Sequence, residues 1–166
     1  NEVRSKDVIL TIISLQDNDS STSIHADLSA AGAELIFLPA RRILNTKRLQ
    51  RIYQIIRHRK VDLIHTHLTF ANILGALVGW LTNTPVISTL HSERFDHIDP
   101  RWQRMEEWAL RNGTRKVIAV GQSVITGHQG RLGAKEMLLV PNAVPEFSAI
   151  TLEKKKSIRR ELVAES

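Results

Sequence analysis

Six short runs rich in β-branched and aliphatic residues recur along the chain: DVILTIISL, AELIFLPA, VDLIHTH, TPVISTLH, RKVIAVG and EMLLVPN. Most are nearly continuous in apolar character rather than alternating. They predict strands buried on both faces, which is what a parallel sheet covered by helices requires. Helical patterns lie between them. STSIHADLSAAGA closes at Gly32, a residue suited to a C-terminal cap. NTKRLQRIYQIIRHRK sets Leu49, Ile52, Tyr53, Ile55 and Ile56 at helical spacing, with its arginines expected outside. Strand and helix alternate, so right-handed crossovers and a doubly wound α/β layer structure are expected.

At 166 residues and 42% hydrophobic, the chain can bury one sizeable core and is short for two ordinary domains. It has no cysteine, which excludes disulfides, thiolate metal sites and a cysteine nucleophile; the cytoplasm is the expected compartment. The opening NEVRSKDV lacks a leader's apolar stretch, and the longest apolar run, around Ile73 to Leu81, is too short to cross a bilayer. A formal net charge of +6 invites an anionic partner, but aromatics make up only 5% and do not interleave with the basic clusters. Stacking platforms for bases are therefore missing, and nucleic acid is not an expected partner.

Doubly wound sheets bind ligands beyond the carboxyl ends of their strands. That rule selects Arg41 and Arg42, His67 and Thr69, His91 and Ser92, Gly121 and Ser123, and Asn142. His65 and His67 share a strand face, so a metal could use both, yet no further ligand cluster has a compelling spacing. His65 is expected to pack inside the sheet. For His67, at the strand end, a cleft role and a hydrogen-bonded structural role stay open. His91, followed at once by Ser92, Glu93 and Arg94, makes a dense polar set at a strand mouth and is read as functional. Ser123 sits in VGQSV, which lacks the nucleophile-elbow glycines, so a serine triad is not supported. GHQGRLG has the wrong order of glycines for a dinucleotide site.

In order, AAGAELIFLPARR, DLIHTHLTFANILGALVGWLTNTPVISTLHS, RKVIAVGQSV and LLVPNAV resemble the amino-terminal domain of retaining glycosyltransferases of GT-B architecture, the group-one or family-four type. The resemblance implies a three-layer Rossmann-like parallel sheet over residues 1–147, holding the acceptor, and a charged connector over 148–166 leading to a separate donor-binding domain. It also implies transfer of a sugar from a nucleotide-sugar donor to a saccharide, phosphorylated or lipid-linked acceptor, with retention and without a metal or other cofactor. Carried onto this chain, it places His91 beside the donor sugar as the catalytic residue. Ser92 and Arg94 face the acceptor, with His67, Thr69 and Ser123 at the same strand ends. Arg41 and Arg42 would supply basic contacts to an acceptor phosphate, or else are solvated surface charge. A peripheral contact with the anionic cytoplasmic face of a membrane is also expected, from the basic helix beside them.

The chain departs from the family pattern in places. PNAV carries Ala143 where glycine is usual, so a left-handed backbone there would be strained, and VGQSV carries Gly121 and Gln122 where serine and glutamate are common. The resemblance implies that the family's first strand is missing before Asn1 and its donor domain after Ser166. Because that strand lies between those matching DVILTIISL and VDLIHTH, a gap or distortion is expected between the two. Two other functions compete with a glycosyltransferase half. One is a noncatalytic α/β module that binds an anionic sugar, the other half of a GT-B-like sugar epimerase.

Overall fold

The computed structural model of the chain describes residues 8–16, 24–93 and 98–143. The connector expected over 148–166 and the side chain of Arg94 lie outside the described residues. All six apolar runs form strands, in the order β1 (Thr11–Ser14), α1 (Ile24–Ala30), β2 (Glu34–Phe37), α2 (Thr46–Arg59), β3 (Ile64–His67), α3 (Thr69–Thr82) and β4 (Val86–Leu90). Next come α4 (Pro100–Trp108), running on into a π-helical turn at Ala109–Gly113, then β5 (Lys116–Ala119), α5 (Gln122–Leu132) and β6 (Met137–Leu139). Every pairing is parallel. β3, β4, β5 and β6 lie side by side in that order, and β1 pairs with β2 in a separate sheet. Among the described residues no ladder joins β1 to β3, which is where the gap was expected.

Helices α2 and α3 bridge that break. Ile52 and Ile56 of α2 and Val78 of α3 are buried together against Ile13 of β1 and Ile64 of β3, so one apolar cluster grips both sheets. The strand register places Ile64, Thr66, Val86, Ser88, Leu90, Val117 and Ala119 on the same face. That face carries the second cluster, in which Leu90, Val117 and Ala119 meet Leu110 of the π turn and Val124 and Leu132 of α5. His25 of α1 packs edge-on to Phe37 of β2. Phe37 alternates with Ile36, the register partner of Ile13, so α1 lies across the sheet from α2 and completes a third layer.

Two glycines let α3 approach the sheet. A Cβ on Gly75 would stand 2.3 Å from Thr66 Cγ2, and one on Gly79 would stand 2.3 Å from Val86 Cγ2. No real side chain tolerates that distance, so the spacing of these glycines sets how deeply the helix seats. At the other end of the helix Asn83 takes a left-handed C-cap at φ 56°.

Two expectations need correction, and a condition set for Ala143 is not met. Arg48 is not outside: it is 6% exposed, and its guanidinium donates to the carbonyls of Leu38, Arg42 and Ile43. The loop between β2 and α2 leaves those carbonyls without strand or helix partners, and buried acceptors must find donors. His65 does not pack inside the sheet; it is exposed, on the face turned away from α3, because the packed face of β3 belongs to Thr66. Ala143 carries no left-handed strain: the non-glycine residues with positive φ among those described are Lys60, Leu68 and Asn83.

Candidate functional site

The carboxyl ends of β3 and β4 lie side by side, with His67 paired to Thr89. His91 follows β4 directly, and its Nε2 lies 2.8 Å from Nδ1 of His67. One of those nitrogens carries the shared proton. His65 extends the row: its ring stands 4.3 Å from that of His67, which stands 5.1 Å from that of His91. His65 Nε2 also meets Thr89 Oγ1 at 2.7 Å. Partial burial lowers the pKa of both His65 and His67, and repulsion from the neighbouring imidazoles adds to it. Neutral rings are thereby favoured at physiological pH, and a neutral imidazole can donate one hydrogen bond and accept another. Among the described residues no group of three or more histidine or acidic side chains is arranged to hold a metal ion.

The chain leaves β3 abruptly. Leu68, exposed on the surface, has φ 71° and ψ 157°, a backbone region in which only glycine is comfortable, and α3 begins at the next residue. This bend brings Thr69, the first residue of α3, to the wall of a cavity shared with His91 and Ser92. The same cavity is walled on its inner side by Asn72, Glu106, His128 and Arg131.

Those four belong to one continuous chain of hydrogen bonds. Ser88 Oγ and Thr66 Oγ1 are 2.7 Å apart, and Thr66 Oγ1 donates to Asn72 Oδ1 at 2.8 Å. Asn72 Nδ2 donates to Glu106 Oε1 at 2.9 Å, and Arg131 Nη2 donates to Glu106 Oε2 at the same distance. Arg131 Nε then donates to His128 Nδ1 at 2.8 Å, and His128 Nε2 reaches the Ser92 carbonyl at 3.0 Å. Asn72 and Ser88 are fully buried, while Glu106, Thr66 and His128 are nearly so. Ser92 Oγ is buried on the cavity wall and finds no partner among the described residues.

Of the residues selected from the sequence, the fold brings His67, Thr69, His91 and Ser92 together. Ser123 lies in the first turn of α5 and is exposed, outside the cavity lining. Arg41 and Arg42 are exposed on the loop after β2, also outside that lining, with the loop's backbone carbonyls held by Arg48. Asn72, Glu106, His128 and Arg131 were not selected. The signal for Asn72 was a lone amide in the apolar run FANILGALVGW. The other three sit in ordinary polar helices and gave none.

Among curated proteins, none matches the chain. The fold is close to those of three solved structures of Anabaena Alr3699/HepE, crystallised with UDP, with UDP and glucose, and with UDP-glucose. Their TM-scores are 0.71, 0.68 and 0.69, at 16%, 14% and 15% identity. Each match covers 92% of this chain and 42% of the other, so the chain spans well under half the length of those proteins. The parallel α/β architecture is thus that of the GT-B glycosyltransferases. The family model of Glycosyltransferase Family 4 matches residues 3–146, and the chain belongs to that family.

Proposed function

We propose that the chain is the acceptor-side half of a glycosyltransferase that moves a sugar from a nucleotide-sugar donor to a saccharide or lipid-linked acceptor with retention, without a metal. The observation that carries this reading is His91 at the mouth of β4, its Nε2 engaged by His67 and its neighbours Ser92 and Thr69 on a cavity wall. With Nε2 so occupied, a sugar hydroxyl meets Nδ1. A hydrogen bond there stabilises the transition state if it strengthens as charge develops on the sugar. Ser92 Oγ, buried without a partner among the described residues, supplies a second hydroxyl contact. Arg41 and Arg42 stand apart from this cavity and suit a more distant anionic part of the acceptor, such as a phosphate. The relatives crystallised with UDP and UDP-glucose make UDP-sugars the first donors to assay.

The test uses the complete gene product that contains these residues. His91→Ala should lower kcat by roughly 10²-fold, the scale of one lost transition-state contact, while leaving the thermal midpoint unchanged. Full activity in that variant, or loss of its fold, would remove His91 from the chemistry. The 166-residue chain alone is expected to give no transfer, because donor and acceptor must be held together in near-attack geometry.

A further inference from the structure

The buried hydrogen-bond chain has two ends, and both lie next to the histidine pair. It starts at Thr66, flanked by His65 and His67, and it finishes on the carbonyl of Ser92, the residue after His91. Ser88 of β4 joins it at Thr66, and between the two ends it passes through α3, α4 and α5. Its members hold each other rather than a ligand.

We propose that His128 is a positioning residue for the His67–His91 pair, held in the Nε2–H tautomer so that its ring fixes the backbone immediately after His91. The proposal rests on the reading of His91 as a transfer-site residue. The tautomer follows from the donors. A guanidinium has no acceptor, so Arg131 Nε–H must donate and His128 Nδ1 must offer its lone pair. The proton of the neutral ring therefore sits on Nε2, where it donates to the Ser92 carbonyl. A second proton would have to enter Nδ1, where it would expel Arg131 Nε and set two cations against each other.

Among the described residues, the charged groups around the ring are Arg131 on its own helix, Glu106 from α4, and Glu93, which passes close to Gly127 one residue away. Glu106 is already shared between Arg131 and Asn72. Burial and Arg131 together push the His128 pKa down, against the opposing pull of the Ser92 carbonyl and Glu106. A strut of this kind gains its rigidity from neighbours that are themselves locked, which is how outer residues orient a reacting group.

The experiment is a long-range proton–nitrogen NMR spectrum of the imidazoles, recorded on the chain and on His128→Phe and His128→Gln. In the native chain His128 should show the Nε2–H tautomer and stay neutral below pH 6.5, the ordinary histidine value. His128→Phe should shift the His67 and His91 signals, and His128→Gln, whose amide can still donate to Ser92, should restore them. In the complete gene product, His128→Phe should lower kcat about tenfold with KM for the nucleotide sugar unchanged, and His128→Gln should recover most of it. An Nδ1–H tautomer, or His67 and His91 signals indifferent to His128→Phe, would overturn the proposal. If His128→Phe fails to fold, the native tautomer and the Gln variant decide. If His91→Ala abolishes transfer while His128→Phe keeps full kcat, this inference fails and the assignment of His91 stands. If no sugar transfer is found at all, the NMR result still judges His128.

Discussion

The tripeptide His65-Thr66-His67 presents two different surfaces from one strand. Thr66 points to the packed face and enters a network in which almost every polar atom is satisfied; His65 and His67 point the other way, exposed, and touch mainly one another and the end of β4. The residue types hardly differ in polarity. What differs is access to water, since a buried polar group left unpaired costs on the order of 1–3 kcal/mol whereas an exposed one can fall back on solvent. The buried face is committed to holding the architecture, and the open face keeps hydrogen-bonding capacity that solvent can reach.

The largest expected effect breaks the buried side. Glu106→Ala removes the acceptor shared by Asn72 and Arg131 and leaves a guanidinium only 17% exposed without its partner. Loss of about 3–5 kcal/mol of unfolding free energy in a denaturant titration is expected. His65→Ala, on the open face, should change it by no more than about 0.5 kcal/mol. Equal losses from the two would dissolve the distinction between the faces.

An intermediate effect comes from the contact that seats α3 on the buried face. Gly75→Ala drives a methyl group into Thr66 Cγ2, so the helix must lift and the Thr66–Asn72 bond must lengthen. A cost of about 1–3 kcal/mol is expected from overpacking, measured as a lower thermal midpoint. A variant as stable as the parent would mean that the seat is soft and the network tolerates movement.

The smallest effect concerns pH and sharpens the open side. His65 and His67 have folded pKa values below the ordinary 6.5. The unfolded chain therefore binds more protons in the window just beneath that value, and stability must rise with pH across it. The contribution is complete above pH 6.5 and is lost as pH falls through the lowered folded values. His128 acts in the same direction from the buried side. Thermal midpoints of the chain and of His65→Ala between pH 7.5 and 5 should show a shallower acid decline in the variant. Parallel curves would show that the histidine row does not couple its protons.

Most of the scaffold was legible in the sequence. Continuous aliphatic runs stay apolar only when both faces of a strand are covered, so all six strands and their parallel pairing could be anticipated, as could Gly32, which takes φ 83°. His91 and Ser92 were legible too, because a polar cluster directly after a buried strand lies at the carboxyl edge of the sheet. Arg48 was not, since helical periodicity measures how apolar a face is and cannot register three loop carbonyls waiting for a donor. His65 was misread because a continuous run does not say which of its alternate residues the helices cover.

The sequence by itself determined the layers of this protein, its strand and helix order, its family pattern and the polar residues that follow β4 at the carboxyl edge of the sheet, because these depend on hydrophobic periodicity and local order along the chain. The tertiary structure alone decided that His67 meets His91, and that a buried line runs from Thr66 through Glu106 to His128 and back to Ser92. Four of those contacts, His67–His91, Glu106–Arg131, Asn72–Glu106 and Ser92–His128, join residues 24 to 36 positions apart. Which donor meets which acceptor across such distances is set by how closely helices seat on strands, at Gly75 and Gly79 above all, and no local pattern encodes that depth.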